Sequence, residues 1–512
     1  MLFNSPEFIF LFLPIVLLGY YVIAARGVSS AAIAWLVCSS LFFYGYWNPI
    51  YLILISVSVL TNFVLGNFLA KRAKQKASVK LVLFAGVAFN LGLIGYFKYA
   101  NFFVDSINAT GVADFHLETI ILPLAISFFT FQQIAFLVDA SKGKASEPSL
   151  LNYTLFVTFF PQLIAGPIVH HRQMLPQFKR LDLFRRVDLN IVIGLSIFAI
   201  GLFKKVVIAD NLALMATPVF ESAARGETLD FFTSFKGTMA YTFQLYFDFS
   251  GYSDMAIGLA RMFGIRLPIN FNSPYKAASI IEVWTRWHMT MSRFFRDYVY
   301  VPLGQRLKGA TRRYLTPLIV MLLVGLWHGA GWTFVLWGGL HGIYLVINYL
   351  WRSVYKYRIG TWWSLIISRS VTMAAIMFSL IFFRADSFDS AMVVLQGFSN
   401  LPSSLQPNMS WLVGFGFTFE GAYFARADIK MLTLAFVLFS FVWYVPNTQQ
   451  IFARYYPAFG YSPMSSEKHV VLTRWKTLRW RPTVVWALFV GCLATASLLS
   501  LNQVSEFLYF QF

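Results

Sequence analysis

Three of the chain's seven histidines lie between Glu282 and Gly342, in or beside apolar sequence. His328 sits in Trp327-His328-Gly329, at the end of an apolar run that begins near Tyr314. About fourteen residues at a rise of about 1.5 Å put it roughly 20 Å from where that run starts. Gly329-Ala330-Gly331 then breaks the helix and leaves room for a substrate to approach. An ionisable side chain at membrane depth is costly and marks a functional position by default. A neutral imidazole there suits proton abstraction from a hydroxyl, whose oxygen can then attack an activated acyl group such as a thioester. This chemistry makes His328 the candidate base.

His288 lies in Val283-Trp284-Thr285-Arg286-Trp287-His288. Trp284, Trp287, His288, Met291, Phe294, Phe295 and Tyr298 recur at three- and four-residue spacing, with Arg286, Thr290, Arg293 and Asp297 opposite. The spacing predicts an amphipathic helix at the cytoplasmic boundary with His288 on its inward face. It leaves a site group and a hydrogen-bonded core histidine equally open. His341, in Trp337-Gly338-Gly339-Leu340-His341-Gly342, is a supporting candidate. Small residues around it could equally serve close helix packing.

The elements that must position these groups are membrane helices. The chain is 58% hydrophobic and 12% charged, where a soluble protein carries about a quarter charged residues. Long charge-poor segments predict an all-α polytopic membrane protein. Candidate spans fall near 6–25, 31–48, 50–70, 80–98, 119–138, 187–206, 235–253, 314–328, 332–351, 364–383, 430–446 and 482–501. Lys71 to Lys80 carries five positive charges and no acid, which makes that loop cytoplasmic. Loop 254–313 holds ten basic residues against three acidic ones and is cytoplasmic by the same rule. Twelve crossings with both termini outside satisfy the charges. Residues 150–169, with Pro161, Gly166 and Pro167 between basic flanks that include Arg180, Arg185 and Arg186, read as a re-entrant hairpin. The outward segment 385–429 has no strong pattern. The first span has no basic region before it and is expected to be retained. The net charge of +19 follows from positive-inside loops, so no nucleic-acid partner is expected.

Other chemistry is thinly supported. Asp248 and Asp254 flank the inner end of the span from 235, where pairing with loop arginines or capping is commoner than orienting a histidine. Cys38 and Cys492 form no framework. No carboxylate or cysteine lies at ligand spacing from His288, His328 or His341, and His170-His171 stand on a separate loop, so no metal is expected. Phosphate-binding loops and nucleophile elbows are absent from the sequence.

Several motifs together carry a resemblance. These are Val283-Trp284-Thr285-Arg286-Trp287-His288, Arg296-Asp297-Tyr298, Pro302-Leu303-Gly304, Gly325-Leu326-Trp327-His328-Gly329, Leu163-Ile164-Ala165-Gly166-Pro167, Gly95-Tyr96-Phe97-Lys98-Tyr99 and the run from Tyr246 to Gly258. In this order they resemble the membrane-bound O-acyltransferase family. The likeness is to its bacterial branch of alginate O-acetyltransferases and exopolysaccharide or peptidoglycan acetylation proteins, strongly over residues 1 to about 350. Val283 and Gln305 depart from the usual pattern.

The resemblance implies a single membrane domain, 1–512, with a core at about 120–400 and flanking spans at 1–100 and 430–501. It implies that His328 is the catalytic histidine and His288 the second motif position, with Trp327 and Arg286 in support. No permanently bound cofactor is implied; the donor would be cytoplasmic acetyl-coenzyme A. The acceptor would be an extracellular polysaccharide, served by a periplasmic or membrane-anchored acetyltransferase partner, with the protein in the bacterial cytoplasmic membrane. A transporter or a scaffold for polysaccharide export is the alternative reading.

Overall fold

Apolar sequence that cannot expose its backbone to lipid has to satisfy it internally, and the chain does so almost wholly by helices. The computed structural model describes residues 1–179, 187–355, 361–421, 426–461 and 478–501. Among them only Asn400–Pro402 and Thr418–Gly421 are strands, paired in parallel. Seven helices are long and apolar enough to cross a membrane, and Ser29–Gly45 and Val484–Leu499 are shorter apolar helices. Arg180, Arg185 and Arg186, which flank the expected hairpin, lie outside the described residues.

Two compact units interleave along the chain. The first comprises Met1–Phe203, Ser250–Asn270 and Thr448–Asn502. It contains α1 (Phe8–Ala25), α2 (Ser29–Gly45), α3 (Tyr51–Lys74) and α4 (Lys80–Asn108), which begin within a few residues of expectation. Helix α5 (Ile126–Ser141) starts seven residues later than the hydropathy indicated, because 119–125 is not helical. Fourteen of its sixteen residues are buried, so it is a core helix of this unit.

Polar side chains join these helices. Asn62 and Asn90 exchange amide hydrogen bonds of 3.1 and 2.6 Å between α3 and α4. Gln133 on α5 donates to Ser58 Oγ at 2.9 Å. Such bonds hold helices together where lipid supplies no hydrophobic drive.

The expected hairpin is a broken helix. After α6 (Leu150–Thr158), Phe159 leaves helical geometry at ψ 109°. Pro161 then occupies the first turn of the short helix Phe160–Leu163, where its missing N–H costs nothing. A side chain at Gly166 would strike the Gln162 backbone. α7 (His171–Lys179) follows.

The span expected at 187–206 is longer, continuing as α8 through Ala224 with a π-helical stretch at Lys204–Ala209. The span at 235–253 is likewise a 32-residue helix, α9 (Phe231–Met262), which contributes to both units. Two glycines of the motif on α9 are packing residues: a Cβ on Gly194 would lie 2.6 Å from Gly258 O, and one on Gly201 2.6 Å from Gly251 O.

The second unit, Lys204–Phe249 with Phe271–Asn447, carries His288, His328 and His341. It holds α10 (Ile280–Arg286), α11 (Met289–Phe295), α12 (Gly309–His328), α13 (Trp332–Val354), α14 (Trp362–Arg384), α15 (Phe388–Gly397) and α16 (Arg426–Tyr444). Within the expected outward segment, residues 385–397 are ordered beyond what their pattern indicated: Ser387 and Ser390 form a reciprocal capping box that starts α15.

α12 and α13 form the tightest pair. A Cβ at Gly325 would collide with Phe334 O, and one at Gly338 with Met321 O. Gly339, one residue on, meets only Leu322 Cδ2 at 3.5 Å. Replacing Gly338 by Ala is therefore expected to destabilise the protein by about 1–3 kcal/mol through overpacking. Gly339→Ala should leave it within experimental error of the parent. Thermal unfolding of the two variants in the same detergent checks the contrast, and equal midpoints would remove the helix contact as its cause.

Candidate functional site

The break that ends α12 creates the site. His328 is its last residue, and Gly329 (φ −152°, ψ 147°) and Gly331 (φ −164°, ψ 148°) are extended, so the chain reverses directly into α13. His328 is 6% exposed. Its ring lies 4.9 Å from Trp327, 5.1 Å from Trp337 and 5.3 Å from Phe383, so α12, α13 and α14 all touch it.

His288 reaches the same place by an unexpected route. The continuous helix expected across 283–298 is broken at Trp287–His288, with α10 stopping at Arg286 and α11 starting at Met289. His288 has φ 42° and ψ 52°, a left-handed conformation that costs energy for a residue with a side chain. Backbone strain of this kind persists only where the surroundings over-determine it. Here the surroundings are Phe249, edge-on at 4.8 Å, and Trp327 at 5.8 Å, and the residue is fully buried. Burial pushes the His288 imidazole down to about 3, so it is neutral at physiological pH. Its ring centroid lies 6.4 Å from that of His328. Allowing for ring radii, their nitrogens are about 4 Å apart or more, too far for a direct hydrogen bond.

His341 is better defined than its sequence context indicated. Its Nε2 lies 3.1 Å from Ser379 Oγ on α14. The Ser379 hydroxyl already donates to Ile376 O at 2.8 Å, so it must accept from His341. That assigns the proton to Nε2 and leaves a lone pair on Nδ1, which has no partner among the described residues.

His328, His341, Trp284, Trp287, Trp337 and Phe383 line a narrow cavity of about 40 Å³. The indole N–H groups of Trp284 and Trp337 are buried without acceptors among the described residues. A wider cavity of about 370 Å³ has Trp284 in its wall as well, together with Thr285, Ser292, Arg293, Arg296 and Tyr300. The site therefore offers lone-pair nitrogen, N–H donors and a small apolar space, with a larger and more polar chamber sharing one tryptophan.

The other sequence candidates have different surroundings. Trp327 is buried behind the His288 and His328 rings. Arg286 pairs with Glu282 at 2.6 Å and donates to Asn272 O at 3.3 Å, and it does not line the narrow cavity. Asp248 pairs at 2.7 Å with buried Lys205, which also holds Asp210 at 2.6 Å. The partner is thus a lysine within the apolar helix α8, where a loop arginine was the commoner expectation. Asp254 belongs to the first unit and accepts from Thr448 Oγ1 at 2.6 Å and Gln449 Nε2 at 2.9 Å. Ser379 and Phe383 were missed: a lone serine and a phenylalanine in an apolar span give no signal until the helices are assembled. Asp139 was also missed as a neighbour of His170 and His171, at 3.3 and 3.7 Å.

Comparison with known proteins bears on this arrangement. Residues 39–384 match the model of the membrane-bound O-acyltransferase family. A peptidoglycan O-acetyltransferase of Helicobacter pylori is 44% identical over 430 residues, 78% of this chain and 80% of the relative. A probable alginate O-acetylase, AlgI, of Azotobacter vinelandii is 41% identical over 357 residues, 68% of each chain. A teichoic acid D-alanyltransferase of Streptococcus thermophilus is 27% identical over 60% of this chain and 83% of the relative. With its many apolar helices and a match spanning the histidines from His170 to His341, the chain is a multi-pass membrane protein that belongs to the membrane-bound O-acyltransferase family.

Proposed function

We propose that the protein takes an acetyl group from cytoplasmic acetyl-coenzyme A and delivers it for O-acetylation of a polysaccharide outside the cytoplasmic membrane of a bacterium, with His328 as general base. Peptidoglycan is the favoured acceptor, because the peptidoglycan O-acetyltransferase is similar over 78% of this chain and the alginate relative over 68%. A periplasmic or membrane-anchored acetyltransferase completes the transfer. The observation that carries the reading is the small cavity lined by His328 and His341 together with Trp284 and Trp337, whose indole N–H groups are buried without acceptors among the described residues.

In the transfer step His328 removes the proton from an acceptor hydroxyl as its oxygen bonds to the thioester carbonyl carbon. Negative charge then builds on the carbonyl oxygen, and a donor such as the Trp337 or Trp284 N–H, fixed beforehand, would stabilise it. The carbon–sulfur bond breaks, and the departing thiolate takes the proton back from the imidazolium. Arg293 and Arg296 in the wider cavity suit the phosphates of the donor. Export without acyl transfer, or a scaffold with dispensable histidines, finds no support in a family of acyltransferases.

His328→Ala is expected to lower polymer O-acetylation by roughly 10²–10⁴, the usual contribution of a general base. Membrane levels and the unfolding temperature should stay unchanged, and an acetylated polymer in that strain would remove His328 from the mechanism. Trp337→Ala, which widens the narrow cavity, should raise propionyl transfer relative to acetyl by about tenfold or more, the scale of one methylene in a fitted pocket. Competition between the two thioesters measures it, and an unchanged ratio means that Trp337 does not limit acyl length.

A further inference from the structure

Asp139, His170 and His171 are drawn together from two elements the acyl-transfer chemistry does not use. Asp139 lies near the end of α5, and His170 immediately precedes and His171 opens α7, on the far side of the broken helix. Asp139 Oδ2 is 3.3 Å from His170 Nε2 and 3.7 Å from His171 Nε2. All three potential ligand atoms lie within 4.8 Å of one another.

We propose that these three side chains bind a divalent transition-metal ion of the zinc type. A tetrahedral ion with bonds of about 2.0–2.1 Å holds its ligand atoms roughly 3.3–3.4 Å apart. The two carboxylate–imidazole distances already match or approach that edge. Imidazole and carboxylate together are a borderline donor set suited to zinc, cobalt or nickel.

A second observation points the same way. The His171 side chain is 5% exposed, and neither of its ring nitrogens has a hydrogen-bond partner among the described residues. A buried, unsatisfied imidazole is costly in an ordinary core. The Phe136 ring, edge-on at 5.6 Å, offers it no lone pair. A metal between its Nε2 and Asp139 would satisfy that nitrogen.

Two features must change for the ion to enter. Arg172 lies 3.3 Å from Asp139 Oδ2, but its side chain is 52% exposed and can swing into solvent as the metal replaces its charge. His170 Nδ1 accepts a long 3.3 Å contact from the Arg172 amide, and a metal on Nε2 moves the ring proton to Nδ1 and gives that contact up. The His170 side chain is 28% exposed, which leaves access for a water as fourth ligand. The bound ion would pin the end of α5 to the start of α7, across the broken helix between them.

The test uses the full-length protein in detergent, with any polyhistidine tag removed. It is stripped with chelator, titrated with Co²⁺ and, separately, reconstituted with Zn²⁺. One equivalent per chain is expected, with the ligand-field bands of four-coordinate cobalt. Zinc X-ray absorption should show nitrogen and oxygen neighbours at about 2.0–2.1 Å. Asp139→Asn and His171→Gln should each weaken binding by at least about tenfold, as loss of a ligand does no less than loss of a supporting group. Substoichiometric binding by the parent protein overturns the site even if the variants do not fold. Full binding retained in both variants overturns it as well.

Discussion

The close approach of α12 to α13 is the contact on which the histidine site depends. Lipid tails are as apolar as leucine, so helices in a membrane associate through van der Waals contact and occasional hydrogen bonds. Gly325 and Gly338 let the two backbones meet with no side chain between them. That contact, a few residues from the Gly329–Gly331 reversal, fixes how far Trp337 and His341 lie from the end of α12. A single methyl group there would push the helices apart and move Trp337 off His328, which it now touches at 5.1 Å. The glycines therefore set the geometry of groups they never contact.

Burial leaves the polar residues of this unit in one of two conditions, paired or without a partner among the described residues. Lys205 is held by Asp248 and Asp210, and Arg286 by Glu282. Each of these pairs neutralises a charge that would be expensive alone. Trp284 Nε1, Trp337 Nε1 and His341 Nδ1 are buried with no partner among the described residues. Each unsatisfied group costs about 1–3 kcal/mol. These three groups share the wall of one cavity, where a bound substrate would meet them, whereas Tyr241 and Gln244, buried without partners among the described residues in the same unit, do not line it.

Much of this was legible in the sequence, and the failures have identifiable causes. Hydropathy and loop charge located most helices, because a membrane helix is a local property of about twenty residues. The glycines around His328 and His341 announced a break and a close contact, since few other roles need them there. The amphipathic pattern around His288 was real, yet it continued across a break that periodicity cannot register. Tertiary contact with Phe249 and Trp327 selects the left-handed backbone at His288, and no neighbour in sequence encodes it. Ser379 and Asp139 were invisible for the same reason: each meets its histidine only when two distant helices are packed.

The Ser379 contact changes the standing of His341. From sequence it ranked below His328, one more histidine among glycines. With Nε2–H given to Ser379, its Nδ1 is an acceptor fixed in orientation, as the second nitrogen of a working histidine usually is. The Trp337 ring lies against both imidazoles, at 5.1 Å from His328 and 4.8 Å from His341. Two imidazoles that each pack against one indole would act on different atoms of a bound group. In the proposed reaction His328 then handles the attacking hydroxyl, the Trp337 N–H the carbonyl oxygen, and His341 Nδ1 a further proton-bearing atom of the substrate. In that reaction the tryptophan would both limit the length of the acyl group and hold a fixed surface against each imidazole.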